Sequence, residues 1–300
     1  MTGETFKEEI LRYVGEAYDE YTECQKLMLE MFGVFHRICT ANGIPYYYGF
    51  GSLLGIVRDG GMIPWDADVD VLVPVSRMRE LIDCLRRELP EDYYVVSNFT
   101  DRKYYLCELR VCRQGYDPDV YHIDVFYLIG APKQPEALAR FDRQVKKVYY
   151  RRALRYQPLE RGKDARSRLV YYAKKIIRFF LRLRPDVLFD RQCERMLFRY
   201  PYEESENCIV WAVGGEIFPV NLFEPARLWK KDDFVCRLPR DPDAFLTIRY
   251  GNYGEYLPIR DRFEEFYGYY CRFQKEKTAK RSAETAGSGG KHENKQEPVQ

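Results

Sequence analysis

Asp66, Asp68 and Asp70 fall within five residues of the stretch GFGSLLGIVRDGGMIPWDADVDVLVP (49–74), which is otherwise largely apolar. Like charges so close repel, so a fold that keeps them together needs a cation, a salt-bridge partner or solvent to offset the repulsion. In extended chain, residues i and i+2 point to the same face, so Asp68 and Asp70 converge as the chain enters the predicted strand VDVLVPV (69–75). Two converging carboxylates are hard oxygen ligands of the kind Mg²⁺ or Mn²⁺ takes, with phosphate oxygens completing the shell. Asp66, after Pro64-Trp65, sits at the strand's entry and can join as a further ligand. For a lone D-x-D, a solvated aspartate cluster at a strand edge is the plainer reading.

Asp124 separates the two explanations. It lies in YHIDVFYLIG (121–130), a predicted strand whose neighbouring residues are apolar or aromatic. A carboxylate there is costly unless it binds a metal or is paired, and Arg110 is a candidate partner. His122 shares its strand face and reads either as a catalytic group or as a structural histidine. Gly51-Ser52 ends one predicted strand and opens a short helix; backbone N–H groups, a close-approach glycine and a hydroxyl there form an anion site suited to phosphate. Serine is also a common helix N-cap, which is the plainer reading. Arg58, one helical step on, can neutralise phosphate oxygens or form a structural ion pair with an aspartate of the motif.

The elements that must hold these groups follow from periodicity. Residues 16–41 read as a helix with Leu27, Met31, Phe32, Phe35, Ile38 and Cys39 on one side, stopped at Asn42-Gly43. Strands are predicted at 45–50, 69–75, 93–97, 103–113 and 121–130, and a helix at 76–89, capped by Ser76 and closed by Pro90. The first 130 residues are thus an α/β or α+β unit that carries its carboxylates on strands.

From Arg143 to Arg184 there are fifteen Lys/Arg and two acidic residues, a net +13, although the whole chain is only +2. Within this section 167–184 is a predicted helix with Leu169, Tyr172, Ile176, Phe180 and Leu183 on one face, and a second helix is expected at 186–199. Three readings stay open: a solvated basic face over a core stripe, which is the expectation; contact with an anionic membrane surface; or nucleic-acid binding, against which no RNA-binding module is recognisable. Residues 207–270 are mixed and rich in aromatics and turns. The polar tail from Glu276 is expected to be disordered.

Nine cysteines, an odd number with no C-x-x-C, support neither a disulfide framework nor a zinc ribbon. Three histidines leave little material for a histidine metal cage or a Ser-His-Asp triad. No secretory signal or membrane span is read from the sequence, so buried, reduced thiols in the cytoplasm are expected.

Gly-Ser, then alternating aspartates on the next strand, then a lone aspartate on a later one resembles the polymerase-beta-like nucleotidyltransferase superfamily. GSLLGIVRDGGMIPWDADVD (51–70) is more closely similar to the signature of the LicD family and the fukutin-related proteins. HIDVF (122–126) continues the likeness, and GEIFP (215–219), FEPARLW (223–229) and LTIRYGNYGEYLP (246–258) resemble the family's tail; the basic middle shows none. Ala67 stands where many such sequences carry another aspartate, but it should point away from Asp68 and Asp70.

The resemblance implies an α+β fold, a polymerase-beta-like nucleotidyltransferase core of mixed sheet and helices with additional helices. Its parts are a catalytic core with N-terminal helix (1–130), a basic helical section (131–200), a C-terminal segment completing the site (201–275) and the tail (276–300). It implies Mg²⁺-dependent transfer of a phosphocholine-like phospho-alcohol from a CDP-linked donor to a hydroxyl of a cell-surface glycan, a modification of lipopolysaccharide or teichoic acid. Asp68 and Asp70 would bind the metal with Asp66 and Asp124, Asp124 serving alternatively as base; Gly51, Ser52 and Arg58 would hold donor phosphate. Trp65, Tyr250 and Tyr253 are candidate pocket residues, tyrosines being able to stack on bases and sugars. The acceptor would be a glycan or lipid-linked glycan, with the protein cytoplasmic or peripheral at the inner face of the membrane. The alternatives are nucleotidyl transfer from an NTP with release of pyrophosphate, and a non-catalytic phosphate-binding protein on the same fold.

Overall fold

The computed structural model describes residues 8, 16–101, 104, 106, 108–211 and 216–288. Helix α1 (Glu16–Ala41) packs its apolar stripe inward: Met28, Met31, Phe32, Phe35 and Cys39 are wholly buried at three- and four-residue spacing. It ends where Gly43 takes a left-handed conformation (φ +62°) and the Ile44 N–H returns to the Cys39 carbonyl, the glycine stop read from the sequence.

A two-residue strand β1 (Tyr47–Tyr48) leads into the short helix α2 (Phe50–Leu54), which continues as a wider turn over Gly55–Asp59. Then come β2 (Val69–Pro74), α3 (Met78–Glu88), β3 (Tyr93–Ser97), β4 (Leu109–Arg113) and β5 (His122–Ala131). Three long helices follow: α4 (Pro135–Tyr156), α5 (Ala165–Arg182) and α6 (Asp186–Leu197). The remainder comprises β6 (Asn207–Trp211), β7 (Ile217–Pro219), the hairpin β8 (Arg227–Lys231) and β9 (Phe234–Leu238), α7 (Pro242–Tyr250) and α8 (Ile259–Ser288).

The fold is α+β, built on a mixed seven-stranded sheet with β5 at its centre. One edge of β5 pairs in parallel with β2, register Asp70 to Asp124. Its other edge pairs antiparallel with β4 over its first half and with β6 over its second. Flanked on both edges, β5 is apolar nearly throughout, as a central buried strand must be.

Some expected elements differ. Helix α3 starts at Met78 without a side-chain cap, because Ser76 sits in a preceding 3₁₀ turn and donates its hydroxyl to Glu203 instead. The strand expected over 103–113 is seen at Leu109–Arg113; residues 103, 105 and 107 lie outside the described residues. Helix α8 runs past Glu276, where composition predicts a disordered tail, to Ser288. Glu276 itself is buried and accepts a hydrogen bond from the Asp117 backbone, which ties that turn to the body. Residues 289–300 lie outside the described residues.

The largest correction concerns α5. Its apolar stripe was expected to cover core, but no residue of the helix is buried, and Leu169, Ile176 and Phe180 are each at least 60% exposed. Instead, Arg178 on the polar side anchors the helix, its Nε donating to the Leu154 carbonyl at 2.7 Å.

The route from α2 to β2 depends on Gly55. A Cβ there would lie 2.5 Å from the Gly61 carbonyl oxygen and 2.9 Å from the Ile63 nitrogen, both backbone atoms. Gly55→Ala must therefore push the 60–68 loop outward. Such overpacking costs about 1–3 kcal/mol, so urea denaturation should show a loss of that order, and an unchanged midpoint would contradict the close approach.

Candidate active site

The in-register parallel pair β2–β5 places Asp70 and Asp124 side by side, and β4 adds Arg110 opposite Asp124, so the three lie in one row across the sheet. Residues two positions apart on a strand share a face, which brings Asp68 and His122 to the same side. All four aspartates, with Gly51, line one cleft of about 450 Å³. The same cleft collects Glu108, Glu216, Glu265, Tyr250, Tyr269 and Arg249. Seven carboxylates thus face a single cation among the described lining residues.

Each aspartate is held differently. The Asp70 backbone is clamped by the start of α2 and the residue before it: its N–H donates to Ser52 Oγ at 2.8 Å, and its carbonyl accepts from Gly49 N–H at 3.1 Å. Asp66 stays in the loop before β2, where its carbonyl accepts from the Gln25 amide at 2.6 Å. Its carboxylate lies so close to Gly51 that a Cβ on residue 51 would come within 2.8 Å of Oδ2. Asp68 Oδ2 accepts from the Tyr269 hydroxyl at 2.7 Å, whereas its Oδ1 is buried with no donor among the described residues. Asp124 receives Arg110 Nε at 2.8 Å and lies 3.2 Å from His122 Nε2.

Proton affinities follow from these surroundings. Burial raises Asp70 well above the usual carboxylate range, and repulsion from Asp68 and Asp124 adds to it. Burial and the Asp68 charge do the same to Asp66. The Glu108 carboxyl is pushed up to about 8 by burial and by Asp124, with Arg110 partly offsetting both. Burial also works to raise Asp124, but His122 and Arg110 outweigh it, and the net shift is downward.

Donor chemistry therefore fits a hard divalent cation: carboxylates whose charged forms are destabilised by one another, and an oxygen of Asp68 without a donor. Among the described residues no three such side chains stand close enough to form a ready-made ligand set. Asp124 is turned to Arg110 and His122, and Asp68 to Tyr269, so a cation held here would need side-chain adjustment and further ligands.

Of the residues expected to hold phosphate, Gly51 lines the cleft and Arg58 and Ser52 are not among its lining residues. Ser52 uses its oxygen to fix Asp70 and faces a separate apolar cavity of about 270 Å³ with Tyr48, Trp229 and Phe234. Arg58 pairs with Asp59 at 2.9 Å and stacks on the Tyr256 ring, the structural alternative among its two readings, although with the neighbouring Asp59 rather than Asp66, Asp68 or Asp70. Trp65 is buried against Tyr256 beneath Arg58 and Arg262. Tyr250 lines the cleft, while Tyr253 bonds Asp243 away from it.

Sequence reasoning missed Glu108, Glu216, Arg249, Glu265 and Tyr269. The last two are four residues apart on α8, one helical turn, and that spacing is the sole local signal they carry.

Two outcomes test this geometry. Asp66, Asp70 and Glu108 have folded-state values above their unfolded ones, so their contribution is complete below about pH 4 and is lost as pH rises through the folded-state values, about 8 for Glu108. Metal-free protein should melt at lower temperature near pH 8 than near pH 5, and Mg²⁺ should raise the melting temperature more at the higher pH; the opposite slope would contradict the assignment. Arg110→Met leaves Asp124 with one partner fewer and should cost about 3–5 kcal/mol in urea denaturation near neutral pH.

Residues 43–152 match the family model for the LicD/FKTN/FKRP nucleotidyltransferase domain. Over 124 residues the chain is 27% identical to the lipopolysaccharide cholinephosphotransferase LicD of Haemophilus influenzae, covering 39% of this chain and 47% of that protein. The match thus spans about half the length of that curated relative. The range matched by the family model runs from β1 through β5 and encloses all four aspartates together with Glu108 and Arg110, so the segment that carries the acidic centre of the cleft is similar to the nucleotidyltransferase domain of the LicD family.

Proposed function

We propose that the protein is a LicD-type phosphotransferase that moves a phosphocholine-like phospho-alcohol from a CDP-linked donor to a hydroxyl of a cell-surface glycan, with Mg²⁺ or Mn²⁺. The observation that carries the reading is the charge of the cleft. Seven carboxylates and one arginine repel a nucleotide diphosphate unless a cation mediates, and the four aspartates lie within the LicD domain. The name of the Haemophilus relative supports the choline-bearing donor and the lipopolysaccharide acceptor.

Asp68 and Asp70 would hold the cation, with Asp66 or Asp124 adding a ligand. When bound, it neutralises charge on the attacking and leaving oxygens of an in-line displacement. Ser52 and Gly49 fix the Asp70 backbone, so its carboxylate is presented from a rigid strand. Tyr269 orients Asp68 by donating to Oδ2, which leaves Oδ1 for ligation. Asp124 is kept ionised by Arg110 and His122; a carboxylate held low is a weak proton acceptor, which favours ligand over base for this residue. Arg249, paired with Glu216, is the cleft's cationic group for a donor phosphate, and Tyr250 beside it offers a ring for base or sugar.

Asp70→Asn should lower transfer of phosphocholine by more than about 100-fold, because removing a direct ligand costs more than removing the groups behind it. The variant should melt no lower than the parent in metal-free buffer, since a neutral amide removes repulsion. Near-normal transfer with Mg²⁺ would contradict the metal assignment. Melting shifts with CDP-choline, CDP-glycerol, CDP-ribitol, CTP and ATP, each with and without Mg²⁺, identify the donor. Stabilisation by CTP or ATP alone, with pyrophosphate released, would replace this reading by nucleotidyl transfer.

A further inference from the structure

Helix α5 is amphipathic in the reverse sense from a helix that covers core. At roughly 3.6 residues per turn, Leu169, Ile176, Ile177, Phe179, Phe180 and Leu183 fall on one half of its circumference. Each of the six is at least 50% exposed. The half turned to the body, on which Tyr171, Arg178 and Leu181 are half-buried, is tethered by polar contacts: Arg178 donates to the Leu154 carbonyl at 2.7 Å and Arg182 to the Arg155 carbonyl at 3.3 Å, while Arg155 donates back to the Leu181 carbonyl. Backbone carbonyls of α4 and arginines thus tether the helix and hold its greasy side outward. The helix carries six basic and no acidic residues, and Arg168 and Lys175 border one side of the apolar arc.

Water is a poor environment for such an arc, and patches of this kind mark interaction surfaces. We infer that α5 is an interfacial helix that lays its apolar half into the headgroup region of an anionic membrane, with the flanking cations on lipid phosphates. Charge and shape select this occupant. A second copy of the chain would bring six cations against six, a repulsive pairing. A peptide partner docks into a groove, but α5 is a convex ridge, which suits a deformable planar surface. Nucleic acid would use the cations and leave the aliphatic and phenyl groups in water. No helix among the described residues is long and apolar enough to cross a membrane, so the contact is made from one side. The inference stands apart from the reaction proposed above, since it needs neither donor nor metal.

Vesicle flotation of the full chain tests it. The protein should float with phosphatidylcholine vesicles containing phosphatidylglycerol, float much less with phosphatidylcholine alone, and lose binding as salt is raised. Ile176→Ser combined with Phe180→Ser keeps every charge and should weaken partitioning by more than about tenfold, because the buried apolar area supplies the anchoring. Melting should be unchanged, these side chains being solvent-facing. In a separate Phe180→Trp chain, indole emission should shift to the blue on anionic vesicles. The proposal is overturned if the serine variant floats like the parent, if emission does not move, or if phosphatidylcholine alone binds equally. It is equally overturned if the parent is a dimer that the serines convert to monomer without any vesicle binding, or if RNA binds tightly while vesicles do not.

Discussion

The parallel pairing of β2 with β5 is the constraint on which the cleft depends. It sets Asp70 beside Asp124 at the distance between neighbouring strands. Two unit charges about 5 Å apart repel by roughly 3 kcal/mol at an effective dielectric of about 20, and burial adds a desolvation cost. The apolar bulk of β5 and its neighbours bears that cost: fully burying one Val or Ile side chain stabilises by about 1.5–3 kcal/mol, and Val71, Val73, Ile123, Val125 and Ile129 are all completely buried. The repulsion is divided unequally. Asp124 is compensated by Arg110 and His122 and stays charged, whereas Asp70, with no cation paired to its carboxylate among the described residues, is pushed toward the neutral form by burial and its acidic neighbours. An electrostatic need is thereby built into one side of the pair.

Distant parts of the chain finish what the strand pair begins. Residues from α7, α8 and the segment before β7 bring Arg249, Tyr250, Glu265, Tyr269 and Glu216 to the same cleft. Their contribution is orientation as much as charge. The Tyr269 hydroxyl fixes one oxygen of Asp68, and Arg249 is itself oriented by its pairing with Glu216. Site and helix α8 are thus coupled through a hydrogen bond spanning two hundred and one residues of sequence.

Strand alternation was enough to expect Asp68 and Asp70 on one face, because a period of two decides which side chains share a face, but it did not tell that Asp66 lines the same cleft from the loop before β2. An aspartate amid apolar residues marked β5 as the second source of charge, and Arg110 was readable as its counter-ion. Glu108, Glu216, Glu265 and Tyr269 were not, because nothing local says which loop or helix returns to a given face. Arg58 was misleading for a related reason. Its spacing from Gly51-Ser52 suits phosphate, but the wide turn over Gly55–Asp59 sends it to Asp59 and Tyr256. For α5 the periodicity was right and its direction wrong: spacing shows that an apolar arc exists, never whether protein, water or lipid lies against it.

The central claim is that this crowded charge is organised around a divalent cation shared with a nucleotide-linked donor. Anomalous diffraction from crystals grown with Mn²⁺ and CDP-choline tests it most directly. The account predicts a manganese peak in the cleft, ligated by Asp68 and Asp70 at about 2.0–2.2 Å and by donor phosphate oxygens. A nucleotide bound in the cleft with no peak at these carboxylates would contradict it.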